Sequence, residues 1–270
     1  MHEAPSMTRI AIAGAAGRMG RRITALAAGD DRFQIAAALE SAGCPDLGRD
    51  AGELAGLGPI GVRVSDRAAA RFDVLIDFSL PAGTGQWLGE CVTAGSAAVI
   101  GTTGHTAAQL AAIEQAAAAI PVLKSTNMSV GVNLLFALVE QAAAVLGDGW
   151  DVEIVETHHR FKKDAPSGTA MSLMEAVVRA TGRDPEKDVV YGRHGQTGER
   201  PRRQIGMHAL RVGDTVGEHE VHFGSLGETV TLRHSAHNRD IFAAGALRAA
   251  AWLKGRPAGL YDMRHVLGMR

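Results

Sequence analysis

Cysteine is nearly absent. Only Cys44 and Cys91 occur in 270 residues, which excludes a disulfide framework and makes a reducing compartment the simpler home. Net charge is nearly absent too. A formal value of −1 gives no global basic field for nucleic acid or an anionic membrane, so any attraction for an anionic substrate has to be local. No apolar run is read as reaching a membrane span; even the alanine-rich stretch 107–120 carries Gln109, Glu114 and Gln115. Met1, His2, Glu3, Ala4 and Pro5 lack a basic segment followed by an apolar core, so no secretory signal is expected. No repeat of solenoid period is visible. Eleven histidines invite a metal, yet neither H-E-x-x-H nor paired Cys/His spacing occurs, so no metal site is expected. A serine nucleophile on a G-x-S-x-G elbow is missing as well.

What is present is ordinary globular composition, 46% hydrophobic and 21% charged, which excludes disorder as the default. The expectation is a soluble cytoplasmic protein of one large or two modest domains. Residues 9–13 form a short apolar strand running into Gly14, Ala15, Ala16, Gly17, Arg18, Met19 and Gly20, then a helix over 21–28. Strand, glycine turn and helix are the context a dinucleotide fingerprint requires, here in the spacing G-x-x-G-x-x-G. A second strand, 33–39, ends at Glu40, an acid placed to accept hydrogen bonds from an adenosine ribose. Further strands are read at 73–79, 97–100 and 121–123, separated by helices near 84–94 and 106–119. This alternation predicts an α/β fold, a Rossmann-type doubly wound parallel sheet with ligands at the carboxyl ends of its strands. Ser79, Thr102, Thr103 and Asn127 fall at those ends and are expected to line the nicotinamide half of the crevice.

The second half reads differently. A long apolar helix over 130–146, with Gly147 as its C′ residue, is expected to be buried. A strand over 151–157 and a helix over 170–180 follow. Strands near 189–193, 205–212, 218–223 and 228–235 come next, broken by glycines that suit antiparallel hairpins. This is a second domain of α+β type whose open sheet needs its face covered, and self-association is one way to do so. A final helix over 241–254 returns to the first domain.

The chain is organised around the join between strand 151–157 and helix 170–180. His158, His159, Arg160, Lys162 and Lys163 crowd into it, ahead of Pro166 in a first turn and Ser167 as N-cap. A basic loop entering a helix N-terminus is an anion site, because unpaired N–H groups and the helix dipole both favour negative charge. Histidine titrates near neutrality and can give a proton. Adjacent His158 and His159 point to opposite sides of an extended chain. Either the strand has ended by His158, or one of the pair faces the crevice. Lys162 attracts a carboxylate if solvated or donates a proton if desolvated, and sequence does not rank the two roles.

The stretch from Glu153 to His158, followed by Lys162, Asp164 and Pro166-Ser167-Gly168-Thr169-Ala170, resembles the signature of the 4-hydroxy-tetrahydrodipicolinate (dihydrodipicolinate) reductase family. The likeness extends to the glycine turn, to Gly101-Thr102-Thr103-Gly104, to the run from Asn127 to Asn133 and to Thr197-Gly198-Glu199-Arg200. It spans nearly the whole chain. It implies reduction of a cyclic imine dicarboxylate by NADH or NADPH with loss of water, in lysine and diaminopimelate biosynthesis. By resemblance, His158 is a proton donor or acceptor and Lys162 a second donor, while His159, Gly168 and Thr169 hold substrate. Gly14 to Met19, Glu40, Gly101 to Thr103, Ser125, Thr126, Asn127 and Met128 touch the cofactor. The implied architecture is a dinucleotide domain of residues 1–128 plus 240–270 and a substrate-binding domain of 129–239 carrying an open mixed sheet. It assembles as a homotetramer with no nucleic-acid or membrane partner. Many members carry an arginine after the acid of the second strand, where this chain has Ser41. Glu40 repels a 2′-phosphate with no adjacent cation, and Arg18 offers a partial substitute, so NADH is expected to serve at least as well as NADPH. His105 after Gly104 is a milder departure. Two readings stay open beside this one: another two-domain nicotinamide reductase, aspartate or homoserine dehydrogenase-like, and a non-catalytic NAD(H)-sensing protein. The second lacks a basic helix-turn-helix or tail.

Overall fold

Runs that are apolar on both faces have to be covered on both faces, and the first half of the chain is arranged accordingly. A computed structural model describes residues 7–269; residues 1–5, read as carrying no secretory signal, lie outside them. In chain order the elements are β1 (Thr8–Ala13), α1 (Arg18–Ala28), β2 (Phe33–Leu39), α2 (Ala51–Leu54), β3 (Val64–Ser65), β4 (Val74–Asp77), α3 (Pro81–Ala94), β5 (Ala97–Ile100), α4 (Ala107–Ala117) and β6 (Pro121–Lys124). Then come α5 (Val130–Leu146), β7 (Asp151–His158), α6 (Gly168–Thr181), β8 (Val189–Tyr191), β9 (Ile205–Arg211), β10 (Gly217–Ser225), β11 (Glu228–Ala236), α7 (Asp240–Leu253), β12 (Gly259–Tyr261) and α8 (Met263–Leu267). The chain divides into two units. The first runs up to Val130 and resumes at Arg239; the second is Gly131–Asn238.

In the first unit the described strands form one sheet in the order β12-β6-β5-β4-β1-β2-β3, with every neighbouring pair parallel. From β3 to β6 this is the doubly wound dinucleotide order, with a reversal between β1 and β4. Side chains alternate across the sheet. Ile10, Ile12, Val74, Ile76 and Val99 pack with α1 and α7 on one face. Ala11, Ala13, Leu75, Ala98 and Ile100 pack with Trp87, Leu88 and Ile113 on the other. Four short elements escape the sequence reading: α2, β3, β12 and α8. They span 4, 2, 3 and 5 residues, too few to display a period.

The second unit holds a mixed sheet in the order β11-β10-β7-β9-β8. Val152, Ile154, Ile205, Met207, Val221 and Phe223 bury one face against α5 and α6. The expectation of serial antiparallel hairpins is corrected. Only β10 and β11 pair as a hairpin through the Gly227 turn, while β8–β9 and β7–β9 are parallel. Glycines mark turns but not which strand the chain returns to. Two expectations for α5 are corrected as well. Val130–Gly149 is the one described helical stretch long and apolar enough to cross a membrane, at mean hydropathy 1.7, and only 28% of that window is buried. Val132, Leu135, Phe136, Val139 and Ala143 enter the core, while Leu134, Leu138 and Val145 stay exposed. Core helices of water-soluble folds satisfy the same length and composition rule.

Candidate active site

At the carboxyl edge of the first sheet, Gly14 ends β1 with φ +78°. A Cβ there would fall 2.5 Å from the Phe78 carbonyl oxygen, and one on Gly20 would fall 2.1 Å from that of Gly14. Only glycine lets this turn fold against β4 and α1 sit upon it. The Gly14 and Ala15 N–H groups donate to Leu39 O, and Ala16 N–H donates to Glu40 Oε1 at 3.0 Å. Glu40 is therefore tied to the turn that precedes α1. That helix starts at Arg18, earlier than the sequence suggests, with no capping side chain and no acid in its first turn, so its N-terminal N–H groups are open to an anion. A cavity of about 420 Å³ adjoins the turn, lined by Gly14, Gly17, Glu40, Ser41 and residues of the β4–α3 connection including Phe78 and Ser79.

The other expected cofactor contacts lie on the same edge: Gly101 to Thr103 after β5, and Ser125 to Met128 after β6. They differ in availability. Thr103 and Thr126 are exposed. Met128 is 2% exposed and packs into the core. Ser125 Oγ donates to Asn127 O, and Asn127 Oδ1 accepts from Ser129 N, which shapes the loop into α5. Ser79, which lines that cavity, and buried Thr102 donate their hydroxyls to Asp77 Oδ1 at 2.6 and 3.0 Å. Asp77 is 1% exposed and also accepts from Thr84 Oγ1 at 2.7 Å. His105 Nε2 meets Thr84 Oγ1 at 3.0 Å, so the residue with no evident consequence in the sequence belongs to this network. Burial, aided by Lys124, pushes the His105 imidazole down in pKa against the opposing pull of Asp77.

In the second unit, β7 runs through His158, so Glu156 and His158 share a face and His159 begins the turn. Glu156 is fully buried. Its Oε2 accepts from His158 Nδ1 at 2.5 Å and from Arg211 at 2.9 Å. Its Oε1 accepts from Arg211 at 2.9 Å and from Ser167 N–H at 3.0 Å. Burial alone would raise the Glu156 carboxyl; the hydrogen bonds from His158 and Arg211 outweigh it and hold the pKa at about 2. Arg211 also donates to Asp164 O at 2.6 Å, which ties down the basic loop. Lys162 Nζ pairs with Asp164 at 2.9 Å.

Ser167 is the N-cap of α6, its Oγ accepting from Ala170 N–H. Pro166, expected in the first turn, precedes the cap instead, after a cis peptide bond. Ser167 Oγ also meets Nε2 of buried His219 at 3.1 Å. Burial, with His158, His234 and Lys162 adding to it against Glu156, pushes His219 down to about 3, so this imidazole is neutral and the Ser167 contact is uncharged. His158 lies edge-to-face with it, ring centroids 5.2 Å apart. Gly168 and Thr169 open α6 with no acid in the first turn. His158 and Lys162 lie on the segment that leads from β7 into α6, and Gly168 and Thr169 are the first residues of that helix. His159 is partly buried, with Nδ1 lacking a partner.

Sequence reasoning missed Asp77, Glu156, Arg211 and His219. Glu156 had a signal: it sits two before His158 in a strand, on the face occupied by Val152 and Ile154, where a lone carboxylate needs partners. Arg211 and His219 had none, because β9 and β10 reach β7 only through sheet pairing. Among the described residues no group of three His, Cys, Asp or Glu is arranged for a metal.

A doubly wound dinucleotide-type unit in one chain with an α+β unit that holds buried Glu156 on partly buried His158 is an architecture that two-unit nicotinamide-dependent oxidoreductases share. Two family profiles match, described as dihydrodipicolinate reductase, N-terminus, over residues 8–128, and dihydrodipicolinate reductase, C-terminus, over 131–267. The 4-hydroxy-tetrahydrodipicolinate reductase of Anaeromyxobacter dehalogenans (strain 2CP-1) is 52% identical over 267 residues, covering 98% of this chain and 99% of that one. The enzyme of the same name from Alkalilimnicola ehrlichii is 52% identical over 265 residues, 97% and 99% of the two chains. The solved dipicolinate-bound dihydrodipicolinate reductase of Paenisporosarcina sp. TG-14 shares the fold at TM-score 0.75 and 24% identity, over 95% and 97% of the chains. The chain belongs to the 4-hydroxy-tetrahydrodipicolinate reductase family and is a pyridine-nucleotide-dependent oxidoreductase of lysine biosynthesis. That membership displaces the aspartate or homoserine dehydrogenase-like and NAD(H)-sensing readings.

Proposed function

We propose that this chain reduces 4-hydroxy-tetrahydrodipicolinate to tetrahydrodipicolinate with His158 as the acid and the α6 start as the carboxylate anchor. The observation that carries this reading is the Glu156–His158 pair beside an acid-free helix N-terminus in a basic loop. Substrate, NAD(P)H and one proton give product, NAD(P)⁺ and water. NAD(P)H, when bound, supplies the hydride. Gly14 to Met19 hold its pyrophosphate on the α1 terminus, Glu40 takes a ribose, and Gly101 to Thr103 with Ser125 to Met128 bound the nicotinamide end. The two substrate carboxylates are held by Gly168, Thr169 and His159, with Lys162 as the attracting cation and second proton donor. His158 exchanges the proton at Nε2, since its Nδ1 is taken by Glu156. The chain assembles as a homotetramer through the second unit and works in the cytoplasm.

NADH serves at least as well as NADPH, because Glu40 and Ser41 offer a 2′-phosphate repulsion without a cation. The test is the near-ultraviolet absorbance of NADH or NADPH with freshly made pathway imine, beside oxaloacetate with ammonia and aspartate semialdehyde. Oxidation with the imine alone, and a kcat/KM for NADH equal to or above that for NADPH, is expected. No oxidation with the imine overturns the activity; a strong NADPH preference overturns only the cofactor reading.

A further inference from the structure

We infer that Glu156 is the positioning residue of the reaction: it fixes His158 in the tautomer with the proton on Nδ1, so that proton exchange with substrate is confined to Nε2. The inference rests on the proposed role of His158 as acid and goes beyond it by naming what orients that acid.

An ionised carboxylate only accepts hydrogen bonds. Glu156 Oε2 lies 2.5 Å from His158 Nδ1, so that nitrogen carries the proton. Four donated hydrogen bonds reach this one buried carboxylate, from β7, from the Arg211 fork of β9 and from the Ser167 N–H ahead of α6. Rotating His158 away from it would leave a buried acceptor short of a donor, which costs about 1–3 kcal/mol. The charged and titratable groups against His158 are Glu156, with Arg211 on the same carboxylate, and His219 on β10. Of these, Glu156 is the one hydrogen-bonded to the ring. Room at the other nitrogen is kept by Gly217, where a Cβ would stand 3.0 Å from His158 Nε2. The same carboxylate, through Arg211 and Asp164 O, holds the loop that carries Lys162. One buried acid thus sets both the acid and the loop cation.

Glutamine has nearly the same shape but offers a donor as well as an acceptor, so it cannot enforce one tautomer. The test reads long-range proton–nitrogen correlations of histidine-labelled protein at a pH where free imidazole is neutral, with the His158 signals assigned by their loss in His158→Gln. Wild type is expected to show Nδ1–H and a bare Nε2. Glu156→Gln is expected to show both tautomers, with kcat lower by about 10²-fold or more. Glu156→Asp, which keeps an acceptor-only group, is expected to retain the wild-type tautomer and recover part of kcat. A wild-type His158 bare at Nδ1 overturns the inference whether or not a variant folds; the donating form is the imidazolium, which gives up its Nε2 proton and is left as the Nδ1–H tautomer. So does a folded Glu156→Gln protein with normal kcat. If the tautomers behave as expected but wild type oxidises no NADH with the imine, the positioning stands and the proposed activity fails.

Discussion

Two glycines, His158 and Lys162 decide most at the level of single residues. Gly20→Ala places a methyl 2.1 Å from the Gly14 carbonyl oxygen. Backbone cannot swing aside as a flexible side chain does, so a loss of about 1–3 kcal/mol is expected, with weaker NADH binding, read by urea unfolding and by fluorescence titration. Unchanged values would mean that the turn is looser than its geometry indicates. His158→Gln is expected to lower kcat by roughly 10²–10⁴-fold. Lys162→Ala is expected to raise KM and lower kcat together if it is the cation of the proposed carboxylate anchor; unchanged values for both reassign Lys162 to its pairing with Asp164. The glycine turn was legible in the chain because its geometry restricts residue type locally, and His158 and Lys162 drew notice there by their proton chemistry alone. Asp77 and Glu156 were not, since what each does depends on hydroxyls, an arginine and an imidazole supplied by other elements.

Among elements, α6 shows what local pattern can settle. Ser167 was legible as its N-cap and Gly182 ends it at φ +64°. Ser167→Ala is expected to cost about 1 kcal/mol from the lost cap. The loss should be larger than for an exposed cap, because His219 Nε2 also loses its partner; chemical denaturation measures it, and a neutral substitution would contradict the buried Ser167–His219 contact. For α5 the pattern misled. Its composition is apolar on nearly every side, yet a helix against one face of a sheet buries a single stripe, and Leu134 and Leu138 remain outside. In the second sheet, His219 and Val221 share the buried face of β10 while Glu220 and His222 face the other way, as strand alternation requires. Pairing order was beyond reach, since period identifies a strand but not its neighbour. Arg200, part of the Thr197–Arg200 motif, acquires a reason only in that sheet. It bonds Glu153, Asp151 and the backbone of Val152.

Across the whole molecule, buried titratable groups set the response to acid. His219 is held at about 3 against an ordinary 6.5. Between those values the unfolded chain takes a proton that the folded chain refuses, so stability falls as pH drops through the window, by up to roughly 1.4 kcal/mol per pH unit. Glu153 and Glu156 act in the same direction at lower pH. For each, burial raises the carboxyl but hydrogen bonds outweigh it, from Arg193, His208 and Arg200 or from His158 and Arg211, and both sit at about 2 against 4.5. Their stabilisation is complete above 4.5 and is lost as pH falls toward 2. Urea midpoints across pH are expected to decline below about 6.5 and more steeply below 4.5, with the upper part of the slope shallower in His219→Gln; His105 and His234, also lowered, keep a part of it. A flat profile from neutral pH to 4.5 would contradict a neutral buried His219.

Fold class was legible at this scale because a glycine turn between strand and helix, followed by alternating strands and helices, has few packed solutions. The chemistry is tested most directly by the mass of the product formed from freshly made pathway imine and NADH deuterated at the transferring position of its nicotinamide ring. Wild type is expected to release tetrahydrodipicolinate heavier by a single deuterium, with His158→Gln giving the same label at a much lower rate. NADH consumed without label in that product, or no consumption at all, would contradict hydride reduction of this substrate.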